Sequence, residues 1–184
     1  MGMLHQVASV VGRALRNVHA GDDKLVISRL QRTVEAIDVT TSAFLAHGPI
    51  PTKYTADGLG LSPPIRWGNV PGRTRSLVLI CEDPDAPLPK PFVHWLVHGI
   101  APDIREIPEG SMTVGMVGLN TRRKMGYTPP SPPPGHGLHH YHFQLFALDF
   151  APELSSDADR ETVVRAMESH VLASGRLIGT HERR

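Results

Sequence analysis

The sequence predicts a mostly β protein: a two-sheet antiparallel β-sandwich with peripheral helices and an N-terminal amphipathic helix. Three observations predict it. Strand-length apolar runs occur at Ser76–Cys81, Val93–Ile100 and Tyr141–Phe150. Pro- and Gly-rich loops separate them, at Ser62–Pro64, Val70–Gly72, Asp83–Pro91 and Thr128–Gly137. The 184 residues include 17 Gly and 17 Pro, which favours many turns over long helices.

The elements follow in chain order. Leu4, Val7, Ala8, Val11, Leu15 and Val18 repeat at helical spacing, so a helix is expected over roughly His5–His19, ending before Gly21. It would dock on its own domain or on a second copy, or offer Arg13 and Arg16 to anionic headgroups as a membrane contact. Residues 1–23 are therefore read as an extension and residues 24–184 as the domain. Thr33 to Ala43 alternates loosely and carries β-branched residues, as a strand would. Ser76–Cys81 is continuously apolar, as expected of a central strand buried on both faces. Late in the chain, Ser156 or Asp157 can cap a helix with the stripe Val163, Val164, Met167 and Val171, stopping at Gly175. Arg176–Gly179 then reads as a short final strand.

Composition narrows the function classes. A formal net charge of +1 singles out neither nucleic acid nor a membrane surface. No apolar run approaches the roughly 20 residues of a membrane-spanning helix. Arg13 and Arg16 interrupt the N-terminal region, which argues against a secretory signal. The absence of acidic residues before Asp22 leaves a transit peptide open. A single cysteine, Cys81, allows no intramolecular disulfide and fits a reducing, cytoplasmic setting.

Three segments carry chemistry. Asp83-Pro84-Asp85-Ala86-Pro87 places two carboxylates in a stiff loop at the end of a core strand. His94-Trp95 opens the next apolar run. Gly135 to Phe143 holds four histidines, of which strand alternation puts His139 and Tyr141 on one face and His140 and His142 on the other. A zinc site could draw on His139, His94 and Asp83, although no HExxH or paired-Cys spacing supports it. A serine hydrolase could use Ser131, which lies between prolines and outside any GxSxG. An anion pocket is the third chemistry: imidazole and phenol donors, a closely approaching Gly-rich backbone and proline walls. An aspartate fits such a pocket if it holds a histidine in one tautomer, favours its cation, or accepts from a ligand ammonium or hydroxyl.

Taken in order, these segments resemble the phosphatidylethanolamine-binding protein (PEBP) family, in particular its bacterial Raf-kinase-inhibitor-like branch. The shared features are DPDAP after a strand, HW opening the next, and G-Y-x-P-P-x-P-P-x-G-x-G-x-H-x-Y over Gly126–Tyr141 before a long strand. The likeness runs from about Lys24 to Ile178. It implies a PEBP-like sandwich and a pocket for phosphate, phosphoethanolamine-type headgroups or other small anions, built from Asp83, Pro87, His94, Tyr127, Pro133, His139 and Tyr141. It also implies a cis Ala86–Pro87 bond and a homodimer. The expected activity is ligand binding with a regulatory role, with no catalytic residue, metal or cofactor. The alternatives are inhibition of a protein kinase or protease through the loop surface and, below that, hydrolysis. His140 stands where many relatives carry Arg, and the C-terminal helix of the eukaryotic members has no clear counterpart after Ile178.

Overall fold

The computed structural model describes residues 2–30 and 35–183. In chain order these form α1 (Gly2–Ala14), α2 (Val26–Leu30), β1 (Glu35–Ala36), β2 (Asp38–Thr40), β3 (Ile65–Gly68), β4 (Ser76–Asp83), β5 (Phe92–Ile100), β6 (Glu106–Ile107), β7 (Met116–Val117), β8 (His139–Leu148), α3 (Arg160–Met167) and β9 (Val171–His181). A six-stranded sheet runs β1-β9-β8-β4-β5-β7, and a three-stranded sheet runs β2-β3-β6. All the pairings are antiparallel except β1 with β9.

The apolar run in β4 is continuous because both faces of the large sheet are covered. Leu77, Leu79 and Cys81 point with Trp95, Val97, Phe143 and Leu145 toward Val39, Ile65, Trp67 and Ile107 of the small sheet, and together they form one core. Val78, Ile80, Leu96, Phe146 and Leu148 point the other way, onto Val26 and Ile27 of α2 and Val163, Val164 and Met167 of α3. Each such side chain contributes about 1.5–3 kcal/mol by leaving water.

The second core surrounds one buried polar knot. Glu82, fully buried, accepts from Arg160 Nε at 2.5 Å through Oε1. Its Oε2 accepts from Gln144 Nε2 at 2.7 Å and from the Val26 amide at 2.9 Å, while Gln144 Oε1 accepts from the Ile27 amide at 2.8 Å. Two amides at the start of α2, which lack partners within their own helix, are thereby satisfied by the sheet.

Several sequence expectations shift. The N-terminal helix ends at Ala14 rather than near His19. Its valines do not dock on this domain: Val7, Val10 and Val11 are 57%, 64% and 50% exposed. The buried position is Gly12, where a Cβ would overlap the Pro134 carbonyl oxygen. The late helix starts at Arg160, because Asp159 rather than Ser156 or Asp157 accepts from the Thr162 amide. It stops at Met167, and both Val171 and Gly175 belong to β9, a strand of 11 residues in place of the expected four. Gly175 is needed there because the Ile37 carbonyl lies where its side chain would be. Of the strand expected over Thr33–Ala43, Thr33 and Val34 lie outside the described residues; Glu35–Thr40 divides into β1 and β2, and Thr41–Ala43 belong to no strand.

Candidate functional site

The ends of β4, β5 and β8 meet at one end of the large sheet. Alternation along β4 turns Asp83 to the same face as Cys81, and alternation along β8 does the same for His139 and Tyr141. β5 reaches that face differently. Glu82 pairs with Val93 and Cys81 with Trp95, so His94 is an extra residue opposite an unbroken partner strand. Such a bulge breaks alternation and re-aims a side chain. Trp95 thus enters the core while His94 enters the cavity.

The cavity has a volume of about 220 Å³. Asp83, His94, His139 and Tyr141 form its polar wall; Pro87, Phe92, Pro129 and Pro133 form its apolar wall. Of the seven residues expected to build the pocket, only Tyr127 lies elsewhere. It packs edge-on against Trp95 at 5.7 Å and its hydroxyl donates to the Tyr54 carbonyl. The Ala86–Pro87 bond, expected cis, is trans, as is every peptide bond among the described residues.

The hydrogen bonds assign roles. Asp83 Oδ1 accepts from the Asp85 amide at 2.9 Å, which closes the turn, and Oδ2 accepts from His139 Nδ1 at 2.7 Å. His94 Nε2 lies 3.9 Å from the same Oδ2. Burial alone would raise the Asp83 carboxyl, yet the hydrogen bond from His139, with the His94 imidazole close by, prevails and holds its pKa at about 2. Asp83 is therefore a carboxylate at any physiological pH.

His94 Nδ1 lies 2.6 Å from the Thr128 carbonyl, so that nitrogen carries the proton and Nε2 is left for a ligand. Tyr141 lines the cavity, and its buried hydroxyl has no hydrogen-bond partner among the described residues. Burial, then the charge of Asp83, push its pKa up, so it stays a neutral donor. His139 differs from the sequence reading of it as a ligand donor. Both its nitrogens are occupied, Nδ1 by Asp83 and Nε2 by His136 Nδ1 at 2.8 Å. Its role is to hold the carboxylate.

Sequence reasoning missed Arg122, which also lines the cavity and has no ion-pair partner among the described residues. It sits in the charged loop Arg122-Arg123-Lys124, a run that reads as a solvated surface. His140 binds Asp85 Oδ2 with both its amide, at 2.7 Å, and its Nδ1, at 2.8 Å. Ser131 borders the cavity, but its hydroxyl accepts from Arg183 Nη1 at 3.1 Å and no imidazole bonds it. No group of three or more His, Cys, Asp or Glu side chains among the described residues could hold a metal ion.

Comparison with known proteins places this geometry. A model of the phosphatidylethanolamine-binding protein family matches residues 40–182. A UPF0098 protein of Methanothermobacter thermautotrophicus is 43% identical over 153 residues, covering 80% of this chain and 99% of that one. A crystal structure described as a PEBP homolog from Chlamydia trachomatis is 37% identical, with a TM-score of 0.77, over 82% of this chain and 99% of its own. The fold is also that of YbcL from E. coli, at 24% identity and a TM-score of 0.75, over 80% of this chain and 99% of that one. With a family match across most of its length and a near-full-length relative above 40% identity, the chain belongs to the phosphatidylethanolamine-binding protein family.

Proposed function

We propose that the chain is a binding protein for small phosphorylated or otherwise anionic ligands, held in the cavity between Asp83, His94 and Tyr141 without catalysis. One observation carries the reading. A 220 Å³ cavity is lined by a tyrosine whose buried hydroxyl has no partner among the described residues, by an imidazole with one nitrogen free of protein bonds, and by an arginine at its lip. Such groups lose hydrogen bonds to water unless a ligand supplies them. The size suits a phosphate with a few further atoms, and the proline walls favour a ligand that fits without rearrangement.

Asp83 sets the ligand's protonation state. A carboxylate in the wall repels a dianion, so the favoured ligand carries a proton or an ammonium that Asp83 can accept from. A phosphomonoester monoanion, or a phosphate ester of an amino alcohol, meets both requirements. The experiment is titration calorimetry with inorganic phosphate and phosphoethanolamine on the full chain. Saturable binding that disappears in His94→Ala supports the reading; no heat from either ligand at millimolar concentration rejects it.

A further inference from the structure

We infer that the N-terminal segment Gly12–Gly21 is a brace that sets the ligand affinity of the cavity by tying together the two loops that wall it. The inference rests on the anion-site reading for its functional half. The segment lies outside the residues matched by the family model, which begin at residue 40.

Its contacts fall on both loops. On the Asp83–Pro87 loop, the Ala20 amide donates to the Ala86 carbonyl at 3.1 Å and the Gly21 amide to the Pro84 carbonyl at 3.0 Å. His19 Nδ1 lies 3.2 Å from the carbonyl oxygen of Asp85, between them. Three consecutive carbonyls of that loop are thus held by one stretch of chain. On the proline–histidine loop, Gly12 sits against the Pro134 carbonyl so closely that no side chain fits. Arg16 Nη2 reaches the Gly135 carbonyl at 3.5 Å, and the His19 ring meets the His136 ring edge-on at 5.4 Å.

His136 passes this docking inward. It is buried, and its Nδ1 lies 2.8 Å from His139 Nε2, whose Nδ1 in turn holds Asp83. The chain of contacts runs from the brace through two imidazoles to the carboxylate in the cavity wall. A ligand gains affinity from a wall already in its binding geometry, because less freedom is lost on association.

Two full-length variants test this. Gly12→Leu forces the helix off Pro134, and the double variant Arg16→Ala/His19→Ala removes the side-chain contacts without a steric clash. Amide hydrogen exchange is read at Asp85 and from Gly135 to His140, and phosphate affinity by calorimetry. The expected result is at least tenfold faster exchange at those amides, unchanged protection at Phe143–Leu145, and at least tenfold weaker phosphate binding. Loop exchange within twofold of the parent in both variants overturns the brace. Should Gly12→Leu fail to fold, the double variant decides alone. Faster exchange with unchanged affinity overturns its influence on the site. If the parent chain itself binds no phosphate, the anion-site reading fails, and the exchange data still judge the brace.

Discussion

Asp83 Oδ2 and His139 Nδ1 lie 2.7 Å apart although 56 residues separate them in the chain. The bond spends the inner nitrogen of His139 on holding a carboxylate, and His136 occupies the outer one. The groups left for a ligand are therefore the Tyr141 hydroxyl and Arg122 as donors and His94 Nε2 as an acceptor for a protonated ligand oxygen, and the first of these can be tested by deletion.

Tyr141→Phe should separate binding from stability. The hydroxyl is buried and has no partner among the described residues, so its removal leaves stability unchanged or slightly raised. A bond from it to an anion contributes about 1.5–3 kcal/mol, so phosphate affinity should fall roughly 10- to 150-fold. Calorimetry and thermal melts on the same samples check both halves. A drop in melting temperature with unchanged affinity would place the hydroxyl in the fold and not in the site.

Phosphate should bind more tightly at pH 6 than at pH 8. Asp83 has a pKa of about 2 and is ionised throughout this range. The ligand's second ionisation, near pH 6 for phosphate esters, adds a negative charge that the carboxylate opposes. Titrations at both pH values decide the matter, and equal affinities would remove Asp83 as the selector of ligand charge.

His142 should make the fold sensitive to mild acid. It lies on the opposite face of β8 from Tyr141, and burial, partly offset by Asp22, lowers its pKa from 6.5 to about 4. The folded chain then binds fewer protons than the unfolded chain between those values. Stability is complete above about pH 6.5 and falls as pH drops toward 4, by up to roughly 3 kcal/mol. The Asp83 contribution behaves differently: it persists down to about pH 4 and is lost only as pH falls toward 2. Denaturant melts of His142→Leu should show a flatter profile from pH 6.5 to 4; an unaltered slope would contradict the assignment.

Arg160→Met should be far more damaging than its surface neighbours' substitutions. It leaves the fully buried Glu82 without its cation, a loss of about 3–5 kcal/mol. Adding Glu82→Gln should restore much of this, because an amide still accepts from Val26 without carrying charge. Chemical denaturation of the single and double variants checks it, and additive losses would mean that the pair is not coupled.

Much of the site was legible as residue types and order. DPDAP, HW and the Gly/Pro/His stretch each mark a strand end, and six of the seven residues drawn from them line one cavity. Tyr127 was misplaced because a tyrosine in a proline-rich loop reads the same whether its hydroxyl meets a ligand or, as here, the Tyr54 carbonyl. Arg122 was missed because a solvated charge run and a cavity lip have the same local composition. The bulge at His94 was invisible for a different reason. It is defined by two partners on β4, and no pattern within β5 records them.

The amino-acid sequence by itself determined the β-rich fold, because continuous apolar runs bounded by proline and glycine leave few other structures open. It also determined which side chains could serve an anion, since those are properties of residue type. Only the tertiary structure decided which nitrogen of each histidine is free, that the valines of α1 face solvent, and that Gly12 carries the docking. These depend on contacts between residues far apart in the chain, such as His139 with Asp83 and Gly12 with Pro134. Their energies arise only once the backbone has brought the partners within reach.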